Sequence, residues 1–105
     1  MVTKRIYIAG PVNGNHNYKV DFFNAEMYLQ SEHPHQIVNP VTLGQKLAKM
    51  YKGNNKPTEK DYMIHDIYEL FSCDKIYMLK GWETSVGARA EHAVATALKL
   101  EIIYQ

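Results

Sequence analysis

Short β-rich segments separated by segments with helical periodicity are the feature that most constrains the fold of this chain. Glycine or proline follows within two residues of each of the first three, as is typical of strands that end in tight turns. The predicted strands are Lys4–Ala9 (KRIYIA), Gln36–Asn39 (QIVN), Asp74–Leu79 (DKIYML) and Glu101–Tyr104 (EIIY). Strands that alternate with helices predict a parallel sheet with helices on both faces.

Helical periodicity fills the intervals between these strands. The predicted helices are Tyr18–Gln30, Leu43–Tyr51, Glu59–Ser72 and Ser85–Lys99. On the first helix, the spacing of Val20, Phe23 and Met27, together with Leu29, predicts the buried face. The fold class expected is therefore α/β, a three-layer α-β-α arrangement with a parallel sheet of four to five strands, Rossmann- or flavodoxin-like.

Composition limits the classes of function. The chain has 105 residues, which we expect to form one domain over residues 1–105, and its 12 Lys+Arg against 11 Asp+Glu give a formal charge of +1. That balance gives no electrostatic footprint for nucleic acid or for a membrane. The lone Cys73 and the short apolar run at the start predict a cytoplasmic protein without disulfides or a signal segment. The histidines show no zinc-ligand spacing, and we expect neither a metal nor a cofactor.

Two loops rich in turn residues follow the first and third strands. They are GPVNG at Gly10–Gly14 and GWETSVG at Gly81–Gly87. Because the carboxyl ends of parallel strands lie at one edge of the sheet, these loops predict a pocket between them.

Glu91 interrupts the apolar stripe of the last predicted helix. It shares a helical face with Gly87, Val94, Ala95 and Leu98. Glutamate is rarely buried without a partner or a function, so we expect a functional carboxylate. The alternatives are a solvated glutamate at the edge of the stripe, or one paired with Arg89 or His92.

Asp66 repeats this pattern on the preceding helix, where Met63, Ile67 and Leu70 share its face. Two carboxyls that converge on one cavity can divide the work, one as a nucleophile and one as an acid. A separation of about 5 Å would fit glycosidic-bond cleavage through a covalent intermediate. The alternative is an aspartate that caps or bonds the backbone.

Other side chains near the two loops are weaker candidates. Tyr7 could orient a carboxylate, or it could be a core tyrosine. Ser85 could hold a phosphate at a helix start, and it could also act as an N-cap. The backbone of the GPVNG turn could cradle an anion. Trp82 could stack on a base, or form a lid or an oligomer contact.

Three motifs give the chain a family resemblance: IYIAGPVNG near the start, DIYELFSCDKIYML in the middle and GWETSVGARAE near the end. With them, the chain resembles the nucleoside 2-deoxyribosyltransferase superfamily, and most of all its short, often phage-associated branch. The characterised relatives are deoxyribosyltransferases and 2′-deoxynucleoside 5′-monophosphate N-hydrolases. The resemblance implies homodimers or larger even homo-oligomers.

The resemblance also implies roles at matching positions. Glu91 matches the carboxylate that attacks the anomeric carbon, and Asp66 matches the acidic residue that serves the leaving base. Tyr7 matches a tyrosine near the nucleophile. Ser85 matches a phosphate-binding serine of the monophosphate hydrolases. Arg89 replaces a small residue of the motif, where it could contact phosphate or neutralise Glu91.

The hypothesis drawn from the sequence is cleavage or transfer of the N-glycosidic bond of 2′-deoxynucleosides or their 5′-monophosphates. The catalytic residues would be Glu91, Asp66 and Tyr7. The substrate-binding residues would be Gly10, Asn13, Trp82, Ser85, Gly87 and Arg89. The alternatives are a non-catalytic module that binds or sequesters nucleotides, and an interaction protein that uses the fold as a scaffold.

Overall fold

The computed structural model describes residues 4–32 and 36–105. Within these ranges it contains the strands β1 (Arg5–Ala9), β2 (Gln36–Val38), β3 (Lys75–Met78) and β4 (Glu101–Tyr104). The helices are α1 (Tyr18–Glu32), α2 (Pro40–Met50), α3 (Glu59–Phe71) and α4 (Val86–Ala97). A short 3-10 turn, Trp82–Thr84, joins β3 to α4. Residues 33–35, between the first predicted helix and the second predicted strand, lie outside the described residues.

The four described strands form one parallel sheet in the order β2-β1-β3-β4. On one face, Ile6 and Ile8 of β1 pack with Phe22 and Leu29 of α1. On the opposite face, Tyr7, Ile76 and Met78 share a core with α3 and α4, which contribute Leu70, Ala88 and Ala95. The α/β class and the three-layer α-β-α, Rossmann- or flavodoxin-like arrangement are confirmed.

Side-chain caps fix where three of the helices begin. Asn39 caps α2 by accepting from Val41 N at 3.0 Å, and Pro40 takes the first helical position. This cap starts α2 three residues before the predicted Leu43. A reciprocal capping box between Thr58 and Asp61 starts α3. Ser85 caps α4, as its position in the sequence predicted.

The predicted buried face of α1 is wrong, except for Leu29. Val20, Phe23 and Met27 are 56%, 59% and 54% exposed, whereas the helix buries Phe22, Ala25 and Leu29. Two apolar stripes overlap on this helix, each with spacings of three and four residues. Packing against the sheet selects one stripe, and the periodicity does not distinguish between them.

The strand order places β1 and β3 side by side, with α1 and α4 leaving them toward opposite faces of the sheet. This is the point at which parallel α/β sheets form a crevice for ligands. The two loops touch there, because a Cβ built on Gly81 would lie 3.6 Å from Pro11 Cγ, and Gly10 packs directly against Leu79 at the end of β3. No helix within the described residues is long and apolar enough to cross a membrane.

Candidate functional site

Glu91 lies on the sheet-facing side of α4, between the buried Ala88 and Ala95. Only 7% of its surface is exposed. Its carboxylate accepts a hydrogen bond from the hydroxyl of Tyr7, on the central strand β1. Neither of the two ion pairs among the described residues includes Glu91 or Arg89, so the alternative of a structural Arg89–Glu91 pair is wrong.

The surroundings of Glu91 disfavour its charged form. Burial is the main cause that raises the pKa of this carboxyl, to about 8, and the negative charge of Asp66 acts in the same direction. The hydrogen bond from Tyr7 opposes this rise, since it stabilises the carboxylate. Glu91 is therefore a carboxyl held in a costly place by a single side-chain donor.

Asp66 approaches the same place from α3. Burial raises the pKa of its carboxyl to about 7, and the neighbouring Glu69 adds to the effect. The helices α3 and α4 pack closely here, because a Cβ on Gly87 would lie 3.6 Å from Met63 Cε. The capping role considered for Asp66 belongs to Asp61 instead. Asp66 lies within the helix, close enough for its charge to act on Glu91 and Tyr7.

Tyr7 is completely buried between these two carboxyls and the sheet. Burial raises the pKa of its hydroxyl well above the ordinary value, and the charges of Glu91 and Asp66 raise it further. The hydroxyl therefore remains a neutral hydrogen-bond donor over the physiological pH range. Of its two sequence interpretations, core residue and partner of a carboxylate, the structure shows both.

The loop after β1 begins at Gly10, which is buried against Leu79, and leaves Asn13 exposed. Asn15, which the sequence analysis missed, organises this loop. Its amide donates to Pro11 O at 3.2 Å and to Asp21 at 3.1 Å, and its side-chain oxygen accepts from Asn17 N. The signal in the sequence was the Asn-rich segment NGNHN, since asparagine side chains often bond nearby backbone in turns.

Three predicted binding residues lie in the first turn of α4 or just before it. Ser85 Oγ accepts from Ala88 N at 3.2 Å, which leaves the hydroxyl hydrogen available to a ligand. Gly87 is partly buried, and Arg89, at the end of the first turn, is exposed. A helix start with a free hydroxyl donor and an arginine four residues later suits an anion.

Trp82 does not stand free as an exposed platform. Its ring stacks on the imidazole of His92, with centroids 4.3 Å apart and planes 20° from parallel. Tyr104 lies beside both rings, and its hydroxyl is 2.9 Å from His92 Nε2. One face of the indole is therefore covered. No periodic pattern predicts this contact, because the three residues come from three different elements.

Two open cavities lie at the carboxyl edge of the sheet, and neither is lined by Glu91, Asp66 or Tyr7. One, of about 240 Å³, lies beside Trp82 and Tyr104 at the ends of β3 and β4. The other, of about 360 Å³, lies between α1 and α2 and was not predicted. Its lining consists of Lys19, Val20, Phe23, Asn39, Val41, Thr42 and Gln45.

No group of three or more His, Cys, Asp or Glu side chains that could hold a metal ion occurs within residues 4–32 and 36–105. The groups that this arrangement offers for chemistry are the carboxyls of Glu91 and Asp66, whose pKa values are raised, and the hydroxyl of Tyr7.

Comparison with known proteins gives one family. No curated protein matches the chain significantly. Residues 4–104 match the family described as a domain of unknown function, DUF4406. The match covers almost the whole chain, from the first described strand to the end of the last, and includes every candidate site residue. The chain therefore belongs to the DUF4406 family.

Proposed function

We propose that this protein cleaves the N-glycosidic bond of 2′-deoxynucleosides or their 5′-monophosphates, or transfers the sugar, through a covalent intermediate on Glu91. The observation that carries the proposal is the buried carboxylate of Glu91, which is held by Tyr7 and coupled to a second carboxyl, Asp66. Such a pair supplies the nucleophile and the acid that retaining glycosidic cleavage needs.

In the first step, Glu91 attacks C1′ while the C1′–N bond breaks and the base leaves with the bonding electrons. Asp66 donates a proton to the departing base. In the second step, Asp66 accepts a proton from water as the water oxygen attacks C1′ and releases Glu91. A base in place of water would give transfer. Glycosyl transfer of this kind passes through an oxocarbenium-like transition state, whose positive charge favours ionised Glu91.

The raised pKa values keep a proton on this pair of carboxyls near neutral pH, although they do not by themselves place it on Asp66. The pKa of Glu91 is about 8 and that of Asp66 is about 7, so the two carboxyls together hold about one proton near neutral pH. Because the pKa of Glu91 is the higher of the two, that proton lies mainly on Glu91 in the free protein, and the reactive form, with the proton on Asp66 and the charge on Glu91, is the minor one. The hydrogen bond from Tyr7 favours this form, because it stabilises the Glu91 carboxylate.

Substrate recognition is proposed at the first turn of α4, where Ser85 and Arg89 would bind a 5′-phosphate. The free donor capacity of Ser85 and the exposed guanidinium support this assignment. The resemblance to the nucleoside 2-deoxyribosyltransferase superfamily supports it too, since the matching serine of its monophosphate hydrolases binds phosphate. Gly10, Asn13 and Gly87 would line the crevice around the sugar.

The test measures the release of free base by chromatography. The protein is incubated with each 2′-deoxynucleoside and each 5′-monophosphate, and Glu91→Gln and Ser85→Ala are assayed alongside it. We expect Glu91→Gln to lose about three orders of magnitude in rate or more, as removal of a covalent nucleophile usually does. Ser85→Ala should impair monophosphates more than nucleosides. A folded Glu91→Gln protein that kept the wild-type rate would falsify the mechanism.

The non-catalytic alternative predicts a different result in the same material. A nucleotide that raises the melting temperature without base release, even with an acceptor base present, would indicate a binding module. Neither stabilisation nor release across the panel would favour the interaction scaffold.

A further inference from the structure

The contact between Trp82, His92 and Tyr104 joins three elements that meet at the candidate site. Trp82 belongs to the 3-10 turn after β3, His92 follows Glu91 directly on α4, and Tyr104 is the last residue of β4. The indole stacks on the imidazole at 4.3 Å, and the Tyr104 hydroxyl lies 2.9 Å from His92 Nε2. We call these three side chains the aromatic clamp.

The backbone of Trp82 determines where Ser85 lies. Trp82 N donates to Leu79 O at 3.2 Å, and Trp82 O accepts from Ser85 N at 3.0 Å. The turn begins at Gly81, whose φ of 86° is a left-handed conformation that favours glycine. A shift of the Trp82 backbone would therefore move the residue that caps α4, and the stacking of the Trp82 ring on His92 opposes such a shift.

The other end of the clamp lies on the helix of the proposed nucleophile. Consecutive residues of a helix point about 100° apart, so Glu91 faces Tyr7 while His92 faces the turn. The end of β4 adds a further tie, because Gln105 Oε1 accepts from Lys80 N at 2.8 Å. The turn is thus fixed to both α4 and β4.

We propose that the aromatic clamp is a positioning device that holds Ser85 at a set place relative to Glu91, and so determines recognition of the 5′-phosphate. This inference rests on the proposed function. Trp82 then acts through Ser85 rather than by stacking on a base. Loosening the clamp should weaken binding of the phosphate and leave the sugar and base contacts largely intact.

The test uses the one tryptophan of the chain as its reporter. Tyr104→Phe and His92→Ala are made in the Glu91→Gln background, so that ligands bind without being cleaved. Tyr68→Phe is the matched control, since Tyr68 is 72% exposed on α3 and outside the clamp. Dissociation constants are measured by Trp82 fluorescence and by calorimetry for each 2′-deoxynucleoside 5′-monophosphate and its parent nucleoside.

We expect Tyr104→Phe to weaken monophosphate binding about threefold or more, the typical net effect of one lost hydrogen bond, and His92→Ala to weaken it further. Nucleoside binding should change less than about twofold, and Tyr68→Phe should change neither. A clamp with a merely structural role would lower the melting temperature and weaken both ligands equally. That result, or unchanged binding in both clamp variants, would overturn the proposal.

Quenching of Trp82 by acrylamide without any ligand separates the two proposals. Failure of the wild type to bind any compound of the panel would defeat the proposed function and phosphate recognition with it. The clamp itself predicts that Tyr104→Phe and His92→Ala make Trp82 easier to quench, while Tyr68→Phe does not. Equal quenching in all three variants would show that the contact does not hold the turn.

Discussion

Apart from tyrosines and Cys73, Asn39 and Glu91 are the two polar side chains that the described part of the chain buries, and each is 7% exposed. Asn39 is satisfied on both sides, since it accepts from Val41 N and donates to Glu26 at 3.0 Å. Glu91 has one donor, Tyr7, and a neighbouring acid that raises its pKa. Two equally buried side chains therefore affect stability in opposite ways. Asn39 stabilises the start of α2, whereas burial of the Glu91 carboxylate lowers the free energy of unfolding.

The largest expected effect is on the pH dependence of stability. The pKa of Glu91 is raised from 4.5 to about 8, so the folded state binds more protons than the unfolded state between these values. Stability is then greatest below about pH 4.5 for this group and falls as the pH rises through 8. Asp66 contributes in the same direction, because its pKa is raised from 3.8 to about 7.

Glu91→Gln should remove the larger part of this fall, which is on the order of a few kcal/mol in the free energy of unfolding. Denaturant titrations of the wild type and the variant from pH 5 to pH 9 measure it. The exposed Glu59→Gln is the matched control. Wild-type and Glu91→Gln curves that stay parallel across this range would mean that Glu91 costs no more than Asn39 does.

A smaller effect is expected at the partner of Glu91. Tyr7→Phe removes the one hydrogen bond that lowers the pKa of Glu91, so that pKa rises further. The rate of base release should fall roughly ten- to hundredfold at neutral pH, as for other lost bonds to a charged group. The pH–rate profile should move to higher pH.

The matched control is Tyr77→Phe, in the neighbouring strand β3 but in the core on the α1 face of the sheet. An unchanged pH–rate profile in Tyr7→Phe would indicate that Tyr7 only fills the core. Tyr7 would then resemble Tyr77 in its effect on the pH–rate profile, and its hydrogen bond would not control the ionisation of Glu91.

The smallest effect is expected at Asn39. Asn39→Ala should lower the free energy of unfolding by about 1 kcal/mol, because α2 loses its N-cap. Asn39→Ser keeps an oxygen that can cap and should recover part of the loss, and both are measured by denaturant titration. Base release should stay at the wild-type rate. Slower base release with unchanged stability would contradict the contrast between Asn39 and Glu91. It would indicate that the cavity between α1 and α2, which Asn39 lines, belongs to the active site.

Local pattern predicted the elements well, since each strand is β-rich and three of the four described helices begin at a capping side chain. The alternation of elements also sufficed for a parallel sheet, whereas neither of the two open cavities lies between the loops after β1 and β3, where the pocket was predicted. The buried face of α1 was not predictable in this way, because Val20 and Phe22 both belong to acceptable apolar stripes. On α4 one stripe is richer in small apolar residues, and Glu91 stood out within it.

The site was predictable only as far as single residues carry a signal. Glu91 and Asp66 were found because carboxyls on apolar faces are uncommon. The stacking of Trp82 on His92 depends on how far β3 and α4 approach each other, which no local spacing encodes. The cavity beside Asn39 likewise depends on the angle between two helices.

The contact between Gly10 and Leu79 has a consequence for redesign of the crevice. A methyl group on Gly10 would lie 2.7 Å from Leu79 Cβ, so the smallest possible side chain already collides with its neighbour. At Gly87 the same methyl group would meet Met63 Cε at 3.6 Å, an ordinary contact with a flexible side chain. Substitutions meant to change the ligand preference should therefore avoid Gly10 and be made at Gly87 and Met63, where α4 packs against α3.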